Sequence, residues 1–95
     1  MIKSFGSKET ECLFEHQFAK HLPTDIQKIA FRKLVAIHYA SRLGDLAIPP
    51  SNHLEKLSGN LVGRWSIRIN DQWRIIFLPV DGGANYEQVE ILDYH

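Results

Sequence analysis

The stretch WSIRINDQWRIIF, residues 65–77, constrains the fold more than any other part of this chain. Trp65, Ile67 and Ile69 alternate with polar residues, and Trp73, Ile75 and Phe77 resume an odd-numbered apolar series after Asn70-Asp71-Gln72. Period-two apolar patterning marks strands with one buried face, and the interruption has a common hairpin-loop length. A slip of one residue would carry the whole apolar set to the solvent side, so the pattern itself selects the register. In that register Ile69 is expected opposite Trp73, Arg68 opposite Arg74, Ile67 opposite Ile75 and Trp65 opposite Phe77. A second turn, DGGAN, leads into a last strand from Tyr86 to Leu92 and completes a three-stranded antiparallel meander.

The first half of the chain reads differently. Met1 to Phe5 has the character of a short strand, with Ile2 and Ser4 alternating against Lys3 and Phe5. Ser7 can cap a helix reaching about Gln17, with Glu9 and Glu11 near its positive end and Leu13 and Phe14 facing inward. Pro23, Thr24 and Asp25 then form a helix start signal. Ile26, Ala30, Leu34 and Ile37 make the apolar stripe of an amphipathic helix expected over 24–43, with Gly44 as its left-handed stop. The two prolines of AIPPSNH point to an ordered surface loop. The expected order is β-α-α-β-β-β: an α+β domain with two N-terminal helices packed on one face of a small, mainly antiparallel sheet.

Ninety-five residues suit one domain, 1–95. Eleven basic residues balance eleven acidic ones. That balance weighs against nucleic-acid binding driven by bulk charge and leaves room only for a local basic patch. Cys12 is the single cysteine, so no internal disulfide can form, and it reads as a small buried hydrophobe. His16, His21, His38, His53 and His95 show no metal-ligand spacing, so neither metal nor cofactor is expected. No apolar run approaches the ~20 residues of a membrane span, and the N-terminus carries no secretory apolar segment. A cytoplasmic, reducing compartment is the default expectation.

The chemistry-bearing residues fall in three places. The hairpin register makes Arg68 and Arg74 cross-strand neighbours, with Arg64 further along the same face. Like charges opposite each other destabilise a sheet, so the pair makes sense where an anion sits on it, and a planar guanidinium can bond two phosphate oxygens at once. The other reading is a solvated polar face, with the arginines bridged by Glu87 or Glu90. Next comes the segment NHLEKLSGN, where His53, Glu55 and Lys56 offer proton-transfer and cationic groups while Leu54 and Leu57 serve as anchors. Last is the terminal Asp93-Tyr94-His95. An imidazole beside its own α-carboxylate and Asp93 has its charged form favoured, which suits a general acid at neutral pH; the plain alternative is a loose tail.

Three segments in this order and at these distances, MIKSF, SIRINDQWRIIF and VEILDYH, resemble the HigB toxins of bacterial HigB–HigA toxin–antitoxin modules, within the RelE-like superfamily. The resemblance runs the length of the chain, and the family's compact fold agrees with the element order above. It implies a metal-independent, ribosome-dependent endoribonuclease that cleaves messenger RNA in the A site of the 70S ribosome and inhibits growth. It also implies a HigA-type helix-turn-helix antitoxin as partner, through which alone DNA would be contacted. Such cleavage is attack of a ribose 2′-OH on the adjacent phosphate. It needs a base, donors for the developing phosphorane charge and an acid for the leaving oxygen.

Carried over by motif, Arg74 in QWR matches the family arginine at the scissile phosphate, and Asp93, Tyr94 and His95 match the family's terminal DYH group. Arg68 lies in the SIRIN form found in many members. The 53–58 segment departs from the pattern. Relatives with LHPLKG place a histidine and a lysine where Glu55 and Ser58 stand here, and relatives with NRLE have an arginine at the position of His53. The resemblance therefore assigns catalysis to Arg74, His95, Asp93, Tyr94 and Glu55, and substrate binding to Arg68, Arg64, Lys56 and His53. The altered segment favours a second reading, a weakened or inactive homologue that binds antitoxin or ribosome without cleaving. A DNA-binding regulator is a weaker third. Lys28, Arg32 and Lys33 lie on the long helix, but no short recognition helix follows a tight turn.

Overall fold

A computed structural model describes residues 1–93. Helix α1 spans Lys8–Phe14 and α2 spans Thr24–Tyr39; strands β1 (Glu55–Lys56), β2 (Trp65–Arg68), β3 (Trp73–Val80) and β4 (Asn85–Asp93) form one antiparallel sheet in the order β1-β2-β3-β4. The β2–β3 register is the one the alternation selects, with Trp65 opposite Phe77, Ile67 opposite Ile75 and Arg68 opposite Arg74. Ile67, Ile75 and Phe77 are fully buried beneath the helices, and the α2 stripe Ile26, Ala30, Leu34 and Ile37 closes on them. Each large side chain so buried contributes about 1.5–3 kcal/mol.

Several expectations need correction. The first segment is no regular strand. Ile2 and Phe5 make isolated parallel bridges to Tyr86 and Val89 at the outer edge of β4. Both side chains pack on the core, and the Ser4 hydroxyl accepts from the Gln88 amide at 2.9 Å, so Phe5, not Ser4, joins Ile2 inside. Helix α1 ends at Phe14 because His16 takes a left-handed φ of 64°. Gln17 N–H donates to Cys12 C=O at 3.0 Å and His16 N–H to Leu13 C=O at 2.9 Å, a double closure usually signalled by glycine. Helix α2 stops at Tyr39, well short of Gly44. The Asp45 carboxylate accepts from the Ser41 amide and hydroxyl and from the Arg42 amide, and these bonds draw the backbone into a new short turn, Leu43–Ala47. The Ser41 donors hold the Asp45 carboxyl below the usual carboxylate range. The proline loop is ordered, with Pro50–Asn52 forming one 3-10 turn within it. Cys12 is only half-buried.

A bulge in β4 explains its odd spacing of apolar residues. Ile76 pairs with Glu90 but Leu78 with Glu87, and Gln88 adopts a φ of 53°. The extra residue lets Tyr86, Val89 and Ile91 all face the core. Thr10 of α1 fastens this strand, its buried hydroxyl accepting from the Ile91 amide at 3.0 Å.

Tyr86 is fully buried, with its ring edge-on to Phe77 at 5.4 Å, and its hydroxyl has no hydrogen-bond partner among the described residues. Burial, and secondarily the charge of Asp45, push the phenol up from 10.0 to about 12. The neutral phenol is therefore the form the folded state favours, and stability is untouched below pH 10.0 and falls as pH rises toward about 12. Tyr86→Phe removes an unsatisfied buried hydroxyl and is expected to leave stability unchanged or raise it by about 1 kcal/mol. Melting curves between neutral and alkaline pH should show a smaller alkaline loss in the variant; an equal loss would assign the effect to other groups.

Candidate active site

The sheet face turned away from the helices carries the site. It is not the solvated polar face of the bland reading, for Ser66 and Ile76 are buried there and Arg74 is only 8% exposed. Arg74 and Ser66 are diagonal neighbours across β2 and β3, because Arg74 pairs with Arg68 and Ser66 with Ile76. A diagonal pair lies about 7–8 Å apart at the backbone, within reach of a long side chain. The Arg74 guanidinium lies back along β2. Its Nε donates to Ser66 Oγ at 2.8 Å, and Nη2 donates to the His53 carbonyl at 2.6 Å and lies 3.2 Å from Glu55 Oε1.

That carbonyl is presented by the segment before β1. His53 has a left-handed φ of 46°, and the preceding Asn52 is buried, its side-chain amide donating to Leu46 C=O at 3.1 Å and Ile48 C=O at 3.4 Å. Lys33 of α2 donates to Asn52 Oδ1 at 2.5 Å; burial, with help from neighbouring Arg32, lowers the Lys33 ammonium from its usual value. A chain of contacts thus runs from α2 through the 46–53 loop to the guanidinium. Leu57 is buried as expected of an anchor, and Leu54 packs against the core.

The other predicted arginines part company with Arg74. Arg68 pairs with Asp71 in the hairpin loop, and Arg64 donates to Gln88 of the β4 bulge. The partners in these bonds are not Glu87 or Glu90; Asp71, Gln88 and Glu55 take the three guanidinium groups instead. The like-charge conflict of the Arg68–Arg74 pair is relieved because the two side chains lean in different directions.

Glu55 and Lys56 form the edge strand β1, opposite Ser66 and Trp65, and both are exposed. Two residues are too few for a period to announce a strand in the sequence. His53 is exposed, and it is its backbone oxygen that contacts Arg74. Asp93 sits opposite Trp73, one step beyond the Arg74–Leu92 pair, and its carboxylate accepts from Gln72 Nε2 at 2.8 Å. Strand alternation assigns it to the helix-facing side. Tyr94 and His95 lie outside the described residues. No cluster of three metal-ligating side chains occurs among the described residues. Among the described residues no helix is long and apolar enough to cross a membrane.

Ser66 and Asn52 are the site-building residues that sequence reading missed. Ser66 carried one signal, a small polar residue on the arginine face two positions from Arg68, hence diagonal to Arg74 in the selected register. Asn52 carried none, because bonding to two loop carbonyls and to Lys33 of α2 leaves no periodic mark in the sequence.

The model of the family described as RelE-like toxin of type II toxin–antitoxin system HigB matches residues 3–95. Toxin HigB-1 of Vibrio cholerae serotype O1 is 44% identical over 85 residues, covering 88% of this chain and 90% of that protein. Endoribonuclease HigB of Proteus vulgaris is 38% identical over 99 aligned residues, covering 100% of each chain. Among solved structures, the YoeB–YefM toxin–antitoxin heterotetramer of Staphylococcus aureus contains a chain that superposes with a TM-score of 0.60 at 20% identity, covering 100% of this chain and 98% of that one, a likeness of fold. With a full-length family match and two well-covered relatives, the chain belongs to the HigB-like family of RelE-like toxins of type II toxin–antitoxin systems.

Proposed function

We propose that this protein is a ribosome-dependent endoribonuclease that cleaves messenger RNA in the 70S A site, acts in the cytoplasm and is neutralised by a HigA-type antitoxin. The observation that carries this reading is the Arg74 guanidinium, buried on the open sheet face and held on two sides by Ser66, the His53 carbonyl and Glu55. Fixed orientation of a cation costs little reorganisation when phosphorane charge develops, which is how such a group lowers a barrier. The relative named Endoribonuclease HigB supports the reaction class.

In this reading Arg74 takes the scissile phosphate, with Arg68 and Arg64 along the RNA backbone. His95 moves a proton with Asp93 nearby in sequence, and Tyr94 stacks on a base or donates a hydrogen bond. Lys56 and His53 flank the substrate from the loop. Glu55 holds Arg74 rather than acting on RNA directly. One observation favours the second reading: the Glu55 carboxylate, at 3.2 Å from Arg74, competes with a phosphate for the same cation.

The test is primer extension on messenger RNA programmed into purified ribosomes. Discrete new 5′ ends that require both protein and ribosome are expected. Unchanged transcripts on the ribosomes, from a protein that still arrests growth when expressed in cells, would sink the nuclease reading and favour the binder. Deleting His95 is expected to slow cleavage by about 10²–10⁴-fold and to remove one limb of the pH–rate profile, assigning that residue as base or acid. A profile that keeps both limbs would return the tail to a passive role.

A further inference from the structure

We infer that Ser66 is the positioning residue of Arg74: its buried hydroxyl, with the His53 carbonyl, sets the direction in which the guanidinium is presented. The inference rests on the reading of Arg74 as the phosphate-binding group. Ser66 is fully buried, yet it lies on the sheet face that carries the arginines. A buried serine in mid-strand is otherwise poorly suited to its place, where β-branched and aromatic residues pack better. Its hydroxyl accepts from Arg74 Nε at 2.8 Å.

The geometry has a direct consequence. An arginine on a strand can project outward from the sheet or lie along it. Opposite Arg68, electrostatics alone would drive Arg74 away from its neighbour without choosing where it goes. Bonding of Nε to Ser66 Oγ, and of Nη2 to the His53 carbonyl, fixes two edges of a planar group, and two fixed edges define its plane. Glu55, by contrast, is more than half exposed and can move with solvent, so the buried hydroxyl is the rigid part of the socket.

A group one ångström out of place can cost about 10²-fold in rate, so Ser66→Ala is expected to slow single-turnover cleavage on ribosomes by about 10–100-fold. Half-saturation for programmed ribosomes should change by less than about threefold, because the interaction matters most in the transition state. Ser66→Thr, which keeps the hydroxyl, should stay within about fivefold of the original rate. A readout independent of activity is the NMR signal of Arg74 Nε–H, assigned by its absence in Arg74→Lys. Its exchange with solvent should be slow in the parent protein and faster by about tenfold or more in Ser66→Ala. If Ser66→Ala is not folded by circular dichroism, Ser66→Cys, similar in shape with a weak acceptor, makes the same comparison.

Normal cleavage and an unchanged Nε–H signal in Ser66→Ala, with Arg74→Ala inactive, would overturn the positioning role and leave the nuclease reading standing. A slowed Ser66→Ala that Thr does not rescue would also overturn it, as general damage to packing. Cleavage by Arg74→Ala at the parent rate would defeat the nuclease role of Arg74, and with it any role of Ser66 in cleavage, whatever the Nε–H signal shows.

Discussion

Arg74→Ala is expected to lower ribosome-dependent cleavage by about 10²–10³-fold, the usual loss when one preorganised donor to developing oxyanion charge is removed. Cells expressing the variant should continue to grow. The fold should survive, because the lost side chain lies outside the main apolar cluster and two of its partners can find water: Glu55 is exposed and the His53 carbonyl sits on a surface loop, while the buried Ser66 hydroxyl loses its bond. Some stability will go with the bonds to Ser66 and His53, at about 1.5–3 kcal/mol for a hydrogen bond made by a charged group and less where water replaces the lost partner. Arg74→Lys keeps the charge but replaces a planar fork with a single ammonium, and it should recover only a small part of the rate. The decisive comparison is cleavage measured beside thermal melting and co-purification with the antitoxin. A folded Arg74→Ala protein that still arrests growth would show that the phosphate is held elsewhere.

The largest effect on stability is expected from Gly83→Ala. Gly83 is buried in the β3–β4 turn with a φ of +92°, where an L side chain is strained. The added Cβ would run into the backbone nitrogen of Leu43 and come within 2.9 Å of Arg42 C and 3.0 Å of Leu43 Cα. Backbone atoms cannot swing aside as a flexible side chain would. Strain and overpacking together should cost about 3 kcal/mol or more. For a domain of this size that corresponds to a melting point lower by roughly 12–24 °C. A variant melting within a few degrees of the parent would mean that the 42–43 segment can yield. The contrast with Gly44 is informative. A Cβ there meets nothing within 4 Å, so the glycine that looked like a helix stop is the tolerant one, and the one in the turn is not.

How much of this was readable in advance varies with the range of the interaction involved. The β2–β3 register followed from alternation alone, because a shift of one residue would have exposed Ile67 and Ile75. The α2 stripe was equally plain, since every member lies on one helical face and all are buried. The ends of both helices were misread. His16 occupies a left-handed position without glycine, and the Asp45 carboxylate ends α2 from five residues downstream of Ala40. Such endings depend on which competing hydrogen bonds the tertiary structure completes.

The site divides in the same way. Sequence by itself determined that Arg68 and Arg74 are cross-strand neighbours on the face away from the helices, because pairing and alternation are local rules of strands. It also determined family membership through residues spread over the whole chain. Only the tertiary structure decided where each guanidinium points. Arg74 turns to Ser66, the His53 carbonyl and Glu55, Arg68 to Asp71, and Arg64 to Gln88. A long side chain has many rotamers of similar intrinsic energy, and the choice among them is made by partners brought close from elsewhere in the chain. For Arg74 the nearest in sequence of those partners is eight residues away and the carbonyl twenty-one, so beyond the diagonal place of Ser66 no local pattern announced the socket.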